Sequence, residues 1–183
     1  MYDRAIIFVA INKDNYVKMA CNAAMTFKDQ NIPMVLLTQQ SLYSKHKELI
    51  DTYFSDVHFT TEVDPGLAKM KVLGFQDAKT MLYIDADSLA SFNCNLNESF
   101  EYFENKKWDF WVWAYSVQDT EKNVQSFWAN FKIMKERFNL EHDRTANGTQ
   151  SSCFFFNTQS LKIEKLAKKT VDVFWDLKTD KKG

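Results

Sequence analysis

From residue 4 to residue 85, short apolar, β-branched runs alternate with longer segments of helical period, and few folds accommodate that order. Arg4 to Ile11 (RAIIFVAI) is a continuous apolar run, as a strand covered on both faces requires. Asn12-Lys13-Asp14-Asn15 breaks it, with Asp14 or Asn15 predicted to cap a helix, and Tyr16, Met19, Ala20, Ala23 and Phe27 follow at helical spacing. Pro33 opens a second predicted strand (PMVLLT), and Ser41 to Phe54 reads as a second helix. Asp56 to Thr60 is a short third strand, Pro65 to Asp77 a third helix, and Thr80 to Ile84 (TMLYI) a fourth strand that stops at Asp85. Such alternation predicts right-handed βαβ units. The expected class is α/β, with a mostly parallel, Rossmann-like sheet flanked by helices.

The second half is less regular. Leu96 to Asn105 reads as a helix and Trp108 to Tyr115 (WDFWVWAY) as an aromatic strand whose Trp108, Phe110, Trp111, Trp113 and Tyr115 belong mainly to a core. Glu121 to Phe138 carries Val124, Phe127, Trp128, Phe131 and Met134 on one helical stripe, an amphipathic face for the sheet, an acceptor or a second copy in a homo-oligomer. Ser151 to Asn157 (SSCFFFN) reads as a strand, Gln159 to Leu177 as a last helix, and residues 178 to 183 as a frayed tail. Without repeats or a linker, residues 1 to 183 are expected to form one domain. Its 45% hydrophobic content sustains a core of that size.

Several function classes lose support. With 23 basic and 24 acidic residues, no strong field favours a polyanion, which argues against duplex DNA as a partner. Cys21, Cys94 and Cys153 lie far apart, without a CxxC or Cys/His cluster, so neither a zinc module nor a disulfide frame is indicated. The opening residues lack a signal-peptide pattern and no run spans a bilayer, so a cytoplasmic location is expected and the sequons at Asn97 and Asn147 read as chance matches. No Ser-His-Asp arrangement, P-loop or GxGxxG is present.

The informative segment is Tyr83-Ile84-Asp85-Ala86-Asp87-Ser88. An acidic pair placed as a buried strand ends sits where open parallel sheets bind ligands. Hard carboxylate oxygens there suit Mn2+ or Mg2+, which keep several waters and bridge to phosphates. A bare DxD is also an ordinary strand-ending turn; its position after the fourth strand of a βαβ series favours the ligand site.

Ala68 to Ala90 (AKMKVLGFQDAKTMLYIDADSLA) resembles the donor-site stretch of GT-A glycosyltransferases, and most closely the glycogenin-like family 8. The resemblance implies a GT-A fold and places Lys69 at the helix lysine that reaches the donor phosphates. It gives Asp85, Ala86 and Asp87 to the DxD motif, with Asp85 and Asp87 on the metal. Ala10-Ile11-Asn12-Lys13-Asp14-Asn15-Tyr16 is similar to the family's first loop, which implies base contacts from Ala10 and Asn12, an Asp-x-Tyr at Asp14, and stacking of Tyr16 on uracil. Gln150-Ser151-Ser152 stands where the family has Asn-Ser/Ala-Gly, implying that Ser151 and Ser152 help shape the sugar pocket. The serine fills space where glycine admits the sugar. A second departure is the family's later Asp-Gln segment and metal-binding histidine, which have no counterpart here. His46 and His58 come too early, and His142 or Asp143 would be substitutes only. The resemblance is then to a compact, C-terminally shortened or inactive form.

The resulting expectation is a metal-dependent glycosyltransferase that moves a hexose from a UDP-sugar, with retention implied by the resemblance. Its acceptor is open among glycan, protein, lipid and modified nucleic acid, and no residue is assigned as the catalytic group. The alternatives are a nucleotide-sugar-binding module without turnover and a sugar-phosphate nucleotidylyltransferase. The latter ranks lower because the first loop lacks glycine.

Overall fold

The computed structural model describes residues 1–91, 93–117, 125–126, 129–130 and 146–179. Strand β1 (Tyr2–Ala10) leads into α1 (Asp14–Phe27), β2 (Met34–Thr38) into α2 (Gln40–Tyr53), and β3 (Asp56–Phe59) into α3 (Pro65–Lys71). Then come β4 (Ala78–Asp85), α4 (Leu96–Asn105), β5 (Phe110–Val117), the two-residue strands β6 (Gln125–Ser126) and β7 (Ala129–Asn130), β8 (Ala146–Asn157) and α5 (Leu161–Thr179). Six strands form one sheet in the order β3-β2-β1-β4-β8-β5. The β3, β2, β1 and β4 strands run parallel, and β8 joins β4 antiparallel, Ile84 opposite Cys153 and Tyr83 opposite Phe154.

The α/β sheet flanked by helices is thus as the alternation predicts. Chain contacts divide into two compact units, Met1–Trp111 with Ser152–Gly183, and Val112–Ser151. Within the second unit β6 and β7 pair antiparallel, Gln125 with Asn130 and Ser126 with Ala129.

The strand period of two divides the first unit's core into two layers. Ile6, Phe8, Leu36, Leu82, Ile84 and Phe155 share one cluster with Val17, Ala20, Ala24 and Phe27 of α1, Leu42 and Ile50 of α2, and Phe100 and Phe103 of α4. Phe8 is fully buried there, its ring centroid 6.3 Å from Phe27 and 5.7 Å from Phe54. The alternate positions Ala5, Ile7, Met81, Tyr83, Phe154 and Phe156 are also buried, on the face where α3 meets β1 and packs with α5. β1 is therefore enclosed on both sides, which accounts for its unbroken apolar run. The described side chains of the aromatic segment do join the core: Trp111 stacks on Phe155 at 5.3 Å, Trp108 lies edge-on to Phe103, and Phe110 packs on Phe154; those of Trp113 and Tyr115 lie outside the described residues.

Three local expectations change. α1 begins after Lys13 with no side-chain cap, because the Asp14 carboxylate turns instead to Lys45 and His46 of α2. The third helix stops at Lys71 and closes with a 3-10 turn over Val72–Gly74, as glycine's weak helix propensity favours. Of the helix expected over Glu121–Phe138, the four described residues form the β6–β7 ladder. Phe, Trp and Val satisfy strand preferences as readily as a helical stripe. The rest of that segment lies outside the described residues, as do the 180–183 tail, His142 and Asp143. Among the described residues no helix is long and apolar enough to cross a membrane.

Truncating Phe8 to alanine is expected to destabilise the fold by about 3–5 kcal/mol in urea unfolding. Leu161→Ala, at a side chain 73% exposed, should stay within about 0.5 kcal/mol of the parent.

Candidate functional site

Because β1 to β4 are parallel, their carboxyl ends and the loops that follow them share one edge of the sheet. Asp85 is the last residue of β4 and stands in register with Val9 of β1. The chain then turns at once, the Ser88 N–H donating to the Asp85 carbonyl at 3.0 Å, so Ala86 and Asp87 occupy the corners of a β-turn. Ala86 is buried and anchors the turn, whereas Asp87 is exposed. Beyond the turn the segment is fastened to α1 and the 3-10 turn after it: the Ala90 N–H donates to Thr26 Oγ1 at 3.0 Å, and Gln30 bonds Leu96 N–H and the Cys94 carbonyl.

Asp85 shares a face with Tyr83, two residues earlier, and both meet α3. Lys69 Nζ donates to Asp85 Oδ1 at 2.7 Å, and the Tyr83 hydroxyl donates to the same oxygen at 2.5 Å. The Lys69 ammonium also lies 4.7 Å from the Tyr83 ring centroid, and that ring stacks on Phe154 at 4.7 Å. Side-chain exposure is 13% for Lys69 and 30% for Asp85, so this pair is shielded well beyond an ordinary surface bridge. Burial, with the Asp85 carboxylate beside it, pushes the Tyr83 phenol far above its ordinary range. The hydroxyl remains protonated and serves as a donor. Tyr83 was not among the sequence-predicted site residues, although the strand period alone places it on Asp85's face.

α3 is held in place by its own loop. Asp64 Oδ1 caps it, accepting from Gly66 N–H at 2.9 Å and Leu67 N–H at 3.1 Å, with Pro65 in the first turn. Glu62 Oε1 accepts from the Val63 and Asp64 N–H groups, and its Oε2 from Lys71 Nζ at 3.0 Å. Burial alone would raise the Glu62 carboxyl, but the Asp64 N–H, Lys71 and the Val63 N–H outweigh it and hold the group below its usual range.

The first-loop residues come to this same edge, and most of their polar groups serve the fold. Asn12 adopts φ 70°, a left-handed conformation that asparagine tolerates. Its Nδ2 donates to the Val63 carbonyl at 2.7 Å, and its backbone N–H donates to Gln39 Oε1 at 3.0 Å. Gln39 in turn donates to the Glu62 carbonyl at 3.1 Å, so three loops are sewn together. The Ala10 carbonyl accepts from Thr38 Oγ1 at 2.6 Å, and Asp14 is paired with Lys45 and His46. Tyr16 presents its ring to solvent, with Lys13 Nζ 5.9 Å from the centroid. A recess of about 370 Å3 is lined by Asn12, Lys13, Asp14 and Asn15. In β8, Ser151 and the half-buried Ser152 precede Cys153, which pairs with Ile84 beside Asp85.

A larger cleft, about 690 Å3, lies at the opposite ends of the strands, lined in part by Arg4, Lys79, Glu104 and Trp108. There Arg4 forms a bidentate pair with Glu104, and Lys79 pairs with Asp3, so these charges neutralise one another. Parallel sheets take ligands at the other edge. The Asp85 edge is therefore the candidate site.

Among the described residues no three His, Cys, Asp or Glu side chains converge to hold an ion, and His58 is engaged with Asp77. In donor type, the carboxylates of Asp85 and Asp87 suit a hard divalent cation, which needs only one or two carboxylates when phosphate and water supply the rest.

No family model matches the chain, and no curated relative matches it. Solved structures do. The fold is that of the GT-A-like nucleotidyl- and glycosyltransferases. 4-Diphosphocytidyl-2C-methyl-D-erythritol synthase from Anaerococcus prevotii matches at a TM-score of 0.57 and 14% identity, over 92% of this chain and 77% of that one. Mouse xyloside xylosyltransferase 1 matches at 0.57 and 10% identity, over 92% and 73%. A fragment of TarS from S. aureus matches at 0.53 and 12% identity, over 89% and 49%. At these identities the likeness is one of fold.

Glu62 gives a pH test of the loop scaffold. A depressed folded pKa contributes stability above the ordinary glutamate value of 4.5, and loses it as pH falls through the lower folded value. Glu62→Gln should cost about 1 kcal/mol at pH 7, and the gap to the parent should narrow in thermal melts below pH 4.5.

Proposed function

We propose that this chain is a metal-dependent glycosyltransferase that moves a hexose from a UDP-sugar to an acceptor, with retention of configuration. The observation that carries the reading is the ammonium of Lys69 beside Asp85 at the carboxyl end of β4, with Asp87 one turn corner away. That grouping supplies a cation for phosphate and two carboxylates for a metal at the edge where such sheets bind nucleotides. The GT-A-like fold and the resemblance to the glycogenin-like family 8 support it.

Asp85 and Asp87 would hold Mn2+ or Mg2+, which when bound neutralises charge on the diphosphate leaving group. Lys69 places a second positive charge on the same phosphates. Tyr83 orients Asp85 through its hydroxyl, Tyr16 offers an exposed ring to the base, and Ser152 stands on the strand beside the sugar position. The Asn12–Gln39–Val63 bonds hold the first loop against the segment that starts α3. The acceptor is a glycan, protein, lipid or modified nucleic acid.

A nucleotidylyltransferase is the second reading, favoured by the equal TM-score of the diphosphocytidyl-forming synthase. Its glycine-free first loop, Asn12-Lys13-Asp14-Asn15, ranks it lower. Pyrophosphate release from UTP and a sugar phosphate would establish it instead.

Calorimetry with UDP-glucose or UDP-galactose plus Mn2+ tests the first reading. Asp85→Ala and Asp87→Ala should each weaken donor binding by roughly tenfold or more, as loss of one charged contact implies. Unchanged affinity in both variants would remove the site assignment. Metal-dependent donor hydrolysis separates a transferase from a binding module that lacks turnover.

A further inference from the structure

The carboxylate placed to take the cation is already engaged, by two donors of different character. Tyr83 reaches Asp85 Oδ1 from within the same strand, and its ring is buried and stacked on Phe154. That donor is fixed. Lys69 reaches the same oxygen from α3, across a gap between elements, on a flexible four-carbon stem. A cation arriving alone at Asp85 Oδ1 would therefore meet an ammonium only 2.7 Å from that oxygen, and the like charges would oppose it.

A diphosphate changes the balance. It offers Lys69 several anionic oxygens in place of one that is shared with a phenol. The Tyr83 ring lies under the ammonium at 4.7 Å, so its face continues to attract the charge during a small excursion. When Lys69 leaves, Asp85 keeps the Tyr83 hydrogen bond and its orientation.

We propose that Lys69 is a latch: it holds Asp85 while the site is empty and passes to the diphosphate when a nucleotide binds, so that cation and nucleoside diphosphate enter as a coupled pair. The inference rests on the reading of Asp85 and Asp87 as the cation pair. Linkage makes the coupling reciprocal: the nucleotide tightens the cation by the factor by which the cation tightens the nucleotide.

The test is Mn2+ affinity, from the free-ion signal in electron paramagnetic resonance, with and without UDP and corrected for Mn2+–UDP in solution. The parent should bind Mn2+ weakly alone and roughly tenfold or more tightly with UDP. Lys69→Met, which keeps most of the stem, should bind Mn2+ alone at least about threefold more tightly than the parent, and UDP should then tighten it by a smaller factor than in the parent. Lys69→Gln serves the same purpose should the methionine variant fail to fold. Lys79→Met, at the far end of β4, should match the parent and so exclude a general effect of removing one positive charge. If the Lys69 variants bind Mn2+ alone no better and UDP tightens it as in the parent, the latch is overturned while the metal–nucleotide site stands. If no protein binds Mn2+ under either condition, the Asp85–Asp87 reading itself falls, and the latch with it.

Discussion

The parallel ladder between β1 and β4 is the constraint on which the rest depends. It runs from Tyr2 opposite Ala78 to Val9 opposite Asp85, and both strands are buried along most of their length. Burial on both faces leaves no freedom to slip the register, because a one-residue shift would turn every side chain to the wrong layer. The ladder therefore sets where β4 ends relative to β1. Asp85 emerges at the edge where the first loop turns, on the layer that α3 covers.

That placement makes an acidic side chain at a half-buried strand end tolerable. An unpaired carboxylate there would lose part of its hydration with nothing in exchange. Lys69 and Tyr83 supply the missing contacts, and in doing so bring an ammonium to the group proposed to hold the metal. In the proposed latch, stability and ligand chemistry compete for that one oxygen, and the site has two states, one closed on itself and one open to a charged ligand.

Around this pair, residues that resemble ligand contacts act as scaffold. Asn12 and Gln39 join the first loop to residues 62 and 63, and Glu62 and Asp64 then organise the backbone that starts α3. The left-handed φ of Asn12 goes with a side chain that closes the network. Asp14 braces α1 against α2 through Lys45 and His46. A motif position in sequence specifies a place along the chain, whereas the direction of its side chain is settled by whichever partner lies closest in the fold.

Periodicity and punctuation were enough to read the order of elements, the parallel half of the sheet and the position of Asp85 at a strand end. These follow from local chemistry: β-branched runs, helical spacing, and the turn residues between them. Tyr83 was legible by the same logic, since residues two apart on a strand share a face. The Gln125–Asn130 ladder was not, because its aromatic neighbours fit either period. The antiparallel return of β8 beside β4 and the meeting of Lys69 with Asp85, 16 residues apart, needed the tertiary structure. So did the scaffold contacts of Asn12 and Asp14. Those contacts join elements whose separation in sequence carries no signal of their distance in space. The acidic pair itself was written in the chain. That its first member is held by a lysine and a tyrosine was decided only when the sheet and α3 came together.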